Sequence, residues 1–101
     1  MRLKWTDLAA QDLEQIKWHI AEESDPALAI EVVLSIINTA ELILSQHPRA
    51  GRQGRVRNTR ELVIDGLPFV VVYREAGGGV EVLRTLHSSQ QWPGNKGREL
   101  S

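Results

Sequence analysis

Between Arg49 and Arg60 the chain reads RAGRQGRVRNTR, five arginines and two glycines in twelve residues with no acidic side chain among them. Arginine carries a planar fork of donors that matches phosphate oxygens bidentately, and glycine lets backbone approach a ligand closely. Arg49, Arg52, Arg55 and Arg57 are therefore candidates to bind an anionic partner, although the same residues also fit a solvated basic loop. Downstream, Arg74 and Arg84 fall near the ends of neighbouring β-rich segments and His87 closes the last one. RNA cleavage through the ribose 2′-hydroxyl needs a proton acceptor, a proton donor and cations that stabilise a pentacoordinate dianion. Arginines suit the third role. His87 could serve as acid or base, because an unperturbed imidazole titrates near pH ~6.5. A structural, hydrogen-bonding histidine at a strand end is the plainer reading.

The charge distribution points the same way as the loop. The formal net charge is only −1. Residues 1–47 nevertheless hold eight acids against three bases, and residues 48–101 hold nine bases against five acids. A near-neutral total hides a dipolar chain with one basic half.

Those side chains need a scaffold, and the hydrophobic pattern supplies a helical first half and a β second half. After a short strand from Arg2 to Trp5, Thr6 can cap a helix whose Leu8, Leu13, Ile16 and Ile20 recur at helical spacing to about Glu22. Asp25 and Pro26 then form a helix start, with Asp25 as N-cap and Pro26 at the first helical position. The second helix runs to about Gln46 and carries Ala29, Val33, Ile36, Ala40, Ile43 and Leu44 on one stripe. Ile30, Val32, Leu34 and Ile37 widen that stripe beyond one core face, so some of it could await a partner.

From Arg60 the period changes to two. RELVID, FVVVYR and VEVLRTLH are separated by Gly66-Leu67-Pro68 and by Ala76-Gly77-Gly78-Gly79, which makes an antiparallel meander. Strict alternation puts Val80, Val82, Arg84 and Leu86 on one face and Glu81, Leu83, Thr85 and His87 on the other. Arg84 and His87 can share a face only if the strand ends or bulges around Leu86. Trp5, Trp18 and Trp92 read as packing residues, and Tyr73 reads as core because it alternates with Val71 and Phe69. Residues 88–92 are expected to dock and 94–101 to fray.

The fold class that follows is α+β: an N-terminal antiparallel helical hairpin on a three- to four-stranded, mainly antiparallel sheet. A chain of 101 residues makes one such domain. It contains no cysteine, and His19, His47 and His87 are dispersed, so neither a metal nor an organic cofactor is expected. No run approaches the ~18 apolar residues that a membrane span needs, and charge enters too early for a signal-peptide core, so a cytoplasmic protein is expected.

The order of pieces resembles the RelE/ParE superfamily of toxin-antitoxin toxins. The resemblance is carried by LAAQDLEQIKWHI from Leu8, HPRAGR from His47, TREL from Thr59, PFVVVYR from Pro68 and EVLRTLHSSQQWP from Glu81. It implies a growth-inhibiting toxin bound by a cognate antitoxin in a hetero-oligomer that represses their shared operon. The superfamily splits by target. RelE-like members cut messenger RNA on the ribosome, and Arg60, Arg84 and His87 match the positions of their catalytic groups. The lysine-rich loop and near-terminal tyrosine of such nucleases are missing here, which leaves the general base without an owner. ParE-like members poison DNA gyrase and keep a similar R-x-L-H strand. The richness of the arginine loop tips the expectation toward the ribosome-dependent endoribonuclease, with the gyrase poison as the alternative and a non-catalytic RNA-binding module or inactive toxin as a third reading.

Overall fold

The computed structural model describes residues 2–90 of the chain. Five strands and two helices follow in the order β1 (Leu3–Trp5), α1 (Asp7–Glu23), α2 (Pro26–Gln46), β2 (Arg52–Gln53), β3 (Arg60–Val63), β4 (Phe69–Ala76) and β5 (Gly79–His87). The strands form one mixed sheet in the order β1-β5-β4-β3-β2, antiparallel except where β1 runs parallel to β5. The fifth strand, beyond the three or four expected, is the two-residue β2 inside the arginine loop. Nothing in its composition marks it; pairing of Arg52 with Glu61 and Gln53 with Arg60 creates it.

Local chemistry sets the element boundaries. Thr6 accepts the Ala9 N–H at 3.1 Å through its hydroxyl, which satisfies an orphan donor of the first turn of α1. The same hydroxyl donates to Leu83 O at 3.2 Å, so the cap also ties α1 to β5. Asp25 occupies the N-cap of α2 with Pro26 following, as expected, but its side chain makes no capping hydrogen bond. Gly77 and Gly78 take φ of 57° and 79°, the left-handed pair that a two-residue hairpin turn requires between Ala76 and Gly79.

The helices cover one sheet face. Ala9, Leu13, Ile36, Ala40 and Leu44 pack on Leu62, Phe69, Val71, Tyr73, Val80 and Val82, all buried. Of the residues that widen the α2 stripe, Val32 and Ile37 pack partly against this core, whereas Ile30 and Leu34 are about half exposed, at 53% and 50%. Trp5 is partly buried, and Trp18, expected to pack, is 63% exposed. Trp92 and the tail 94–101 lie outside the described residues. One expectation needs correcting: α2 is long and apolar enough to span a bilayer by length and composition, with a mean hydropathy of 1.9 despite its interruptions. Its buried residues Ala29, Ile36, Ala40 and Leu44 serve the core.

The register of β4 on β5 decides where the candidate side chains go. Val72 pairs with Arg84 but Tyr73 pairs with Val82, so Leu83 is an extra residue on β5. This bulge lies three residues before Leu86, the point at which the sequence made one necessary. It resets the parity: Val80 and Val82 before it, and Thr85 and His87 after it, are all opposite the helix-facing residues Glu75, Tyr73, Val71 and Phe69.

Candidate functional site

The arginine loop is fastened to the sheet by one buried phenol and one guanidinium. Tyr73 is fully buried and its hydroxyl accepts the Gly51 N–H at 2.8 Å, while Arg60 Nη1 donates to Gly51 O at 2.8 Å. Both backbone groups of Gly51 are thereby used. A Cβ at position 51 would meet Tyr73 Oη and Glu61 O at 2.8 Å, so only glycine lets the loop lie this close. Burial raises the pKa of Tyr73 above its ordinary value, an effect the Gly51 N–H and the Arg60 charge only partly oppose. Further along, Thr59 accepts from Gly54 N at 2.8 Å and donates its own N–H to Val56 O at 3.1 Å, folding the tip over Asn58 at φ 65°.

Tertiary structure supplies the carboxylates that the loop sequence lacks. Arg52 pairs with Glu61 at 3.1 Å and Arg49 with Glu75 at 3.3 Å, and beside the loop Arg74 of β4 pairs with Glu81 of β5 at 2.8 Å. Arg55 and Arg57 have no ion-pair or hydrogen-bond partner among the described residues, and Arg60 is bonded only to carbonyl oxygens. The uncompensated charge of the loop is therefore Arg55, Arg57 and Arg60.

Arg84 is committed elsewhere. Its guanidinium grips Asp12 of α1 bidentately, Nε to Oδ2 at 2.8 Å and Nη2 to Oδ1 at 3.0 Å, and Thr85 N–H adds a third bond to Oδ2 at 2.9 Å. The carboxylate holds Arg84 protonated, with its pKa pushed above the usual arginine value. Asp12 is 8% exposed, and sequence reasoning missed it as a partner because it lies 72 residues upstream. The Leu83 bulge immediately precedes Arg84 and turns Thr85 toward α1.

His87 stands at the exposed end of β5 with its ring edge-on to Phe69 at 5.5 Å. Its Nδ1 accepts the Ser89 N–H at 3.0 Å and lies 2.7 Å from Ser89 Oγ, so in the neutral ring the proton sits on Nε2. His87 N–H donates to Gln90 Oε1 at 2.8 Å. These bonds close a tight turn at the strand end.

The three residues matched to nuclease positions do not line one cleft. Arg84 and His87 line a cleft of about 560 Å³ between α1 and the end of β5, together with His19, whose seven-residue spacing from Asp12 puts both on one helix face. Arg60 lies two strands away, about 10 Å across the sheet, and its Tyr73 partner is four residues along β4 from the Phe69 opposite His87, a further ~13 Å. Arg60 lines a second cleft of about 480 Å³ with Arg49, Arg57, Arg74 and Glu75. Arg52 and Arg55 line a third, on the other sheet face beside Glu61 and Leu86. Among the described residues no group of three or more His, Cys, Asp or Glu side chains could hold a metal ion.

A family model described as the ParE toxin of the type II toxin-antitoxin system parDE matches residues 3–92. A curated relative named "Putative toxin Y4kP", from Sinorhizobium fredii (strain NBRC 101917 / NGR234), is 41% identical over 92 residues, 91% of this chain and 93% of that protein. A solved structure described as the chromosomal ParDE TA system from P. aeruginosa shares the fold with a TM-score of 0.81 at 32% identity, over 86% of this chain and 95% of that one. With the family match running from β1 past the end of β5, and a toxin-antitoxin structure sharing its helical hairpin and sheet, the chain belongs to the ParE toxin family of type II toxin-antitoxin systems.

Proposed function

We propose that this chain is the growth-inhibiting toxin of a two-protein module and acts by binding a protein target, DNA gyrase, rather than by cutting messenger RNA on the ribosome. The observation that carries this reading is the prior engagement of the nuclease candidates. Arg84 is held by Asp12, His87 Nδ1 accepts from Ser89, and Arg60 faces a different cleft. A general acid-base pair must converge within hydrogen-bond reach of one phosphodiester, and a transition-state cation must be free to meet it. Membership in the ParE family favours the same branch.

The cognate antitoxin is the second partner. Trp18 of α1 and Ile30 and Leu34 of α2 are at least half exposed, and Trp18 and Ile30 line one apolar groove at the hairpin tip. Such a groove suits the apolar face of an antitoxin segment. The complex forms in the cytoplasm, where both proposed partners reside.

Induced expression with parallel readouts tests the target. The expected result is gyrase-dependent DNA breakage and a DNA-damage response that precede any fall in translation, both abolished by coexpressing the neighbouring antitoxin gene. Translation arrest with A-site cuts in messenger RNA, ahead of DNA breakage, would overturn the proposal.

A further inference from the structure

We infer that the cleft between the arginine loop and β4 binds the phosphate backbone of double-stranded DNA without regard to sequence, so the toxin contacts nucleic acid directly as well as its protein target. Four guanidinium groups, from Arg49, Arg57, Arg60 and Arg74, line this cleft; Glu75 offsets Arg49 and Glu81, just outside the lining, offsets Arg74, which leaves Arg57 and Arg60 without a carboxylate among the described residues. Arg57 has all its donors free among the described residues, and Arg74 is half exposed. The cleft is also organised in advance. Tyr73 and Arg60 hold Gly51 from both sides, so binding need not order the loop.

The lining residues decide the class of ligand. Among the described residues no aromatic side chain lines the cleft. Recognition of single-stranded nucleic acid relies on stacking of bases on such rings, so this surface suits backbone contact alone. Among the described residues no histidine lines it either, and Glu75 is its one acid-base group, so it lacks the pair that cleavage needs. An acidic protein segment is the competing ligand. Arg49 and Arg74 already hold carboxylates, the exposed Glu75 and the partly buried Glu81, and exchanging one carboxylate for another gains little. Duplex DNA adds what a short acidic segment lacks, the entropy of counterions released from its phosphates.

The charge count sets the expected magnitude. Four guanidiniums less the two carboxylates paired with them leave two phosphates neutralised. At a slope of about 0.9 per phosphate, raising salt fourfold weakens binding about twelve-fold. The test measures fluorescence anisotropy of a labelled random-sequence duplex with the full chain across that salt range. Paired replacement Arg57→Gln with Arg74→Gln should flatten the fall to about three- to four-fold, because Arg60 remains as the one guanidinium with no carboxylate partner. The control pair Arg2→Gln with Lys4→Gln changes net charge equally at the opposite sheet edge and should keep the wild-type slope. Circular dichroism checks that both pairs fold.

Absence of duplex binding at low salt would overturn the inference, as would equal flattening by the control pair. Tenfold tighter binding of oligo-dT than of duplex would also overturn it. So would binding of a labelled poly-glutamate peptide, lost in the Arg57/Arg74 pair, without binding of DNA; that outcome would assign the cleft to a protein. The measurement uses no gyrase, so its failure leaves the proposed protein target untouched.

Discussion

Replacing Asp12 by asparagine keeps the shape of the side chain and removes the charge that holds α1 to the β5 bulge. In the native arrangement the carboxylate accepts three hydrogen bonds, two from Arg84 and one from Thr85 N–H. An asparagine offers one acceptor oxygen, and its amide must then face one of these donors. Breaking a fully buried ion pair by removing one partner costs about 3–5 kcal/mol. Here the Asp12 side chain is 10% exposed and that of Arg84 26%, so water recovers part of the guanidinium's solvation. The expected loss is therefore about 2–3 kcal/mol, a large share of the ~5–15 kcal/mol that stabilises a domain. At about 4–8 °C per kcal/mol for a domain of this size, the midpoint should fall by about 10–20 °C. Urea titration followed by tryptophan fluorescence measures the change, and the denaturant slope should stay constant. A double-mutant cycle with Arg84→Met should give a coupling of about 1–3 kcal/mol. If Asp12→Asn costs less than about 0.5 kcal/mol, as surface changes do, the clamp contributes nothing and the account is refuted. The clamp also changes how toxicity data are read: lost toxicity in Arg84→Ala reports first on stability, whereas His87→Gln, at an exposed strand end, should leave the midpoint unchanged.

Raising pH should destabilise the fold through Tyr73. Its pKa is raised in the folded chain, so its contribution is complete below the ordinary value of 10.0 and is lost as pH climbs from there through the folded value. Tyr73 is the only tyrosine, so tyrosinate absorbance reports it alone; Tyr73→Phe should abolish this alkaline loss, and an unchanged profile would count against it. Gly51→Ala should cost about 1–3 kcal/mol, because backbone at Glu61 O cannot yield as a flexible side chain would, and should weaken anion binding by loosening the loop. Thr85 Oγ1 is buried with no partner among the described residues, so Thr85→Val should be neutral or stabilising by about 1 kcal/mol in thermal melts. Ile30→Ser with Leu34→Ser should shift the stability of the free toxin by less than about 1 kcal/mol yet weaken antitoxin binding at least tenfold by calorimetry.

The elements were legible because their signals are local. A hydroxyl at the N-cap, proline at the first helical position and apolar residues at 3.6 or 2.0 spacing act through backbone geometry within a few residues, so α1, α2 and β3 to β5 fell where the periodicities put them. The positive-φ glycines of the β4–β5 turn belong to the same class. Tyr73 was recognisable as core by its alternation with Val71 and Phe69, although alternation gave no hint that its hydroxyl would hold Gly51.

Tertiary structure decided the chemistry. One extra residue at Leu83 turns Thr85 and His87 toward the helices, where the Thr85 N–H meets Asp12; a bulge of this kind depends on how β5 packs between β1, β4 and α1 rather than on its own composition. The arginine loop read as uncompensated because Glu61 and Glu75 lie outside it in sequence and beside Arg52 and Arg49 in space. Charge and hydrophobicity are properties of single residues and can be counted along a chain. Which guanidinium is already spent on a carboxylate, and which still faces solvent in a cleft, depends on contacts between segments 7 to 72 residues apart, and only the folded arrangement supplies them.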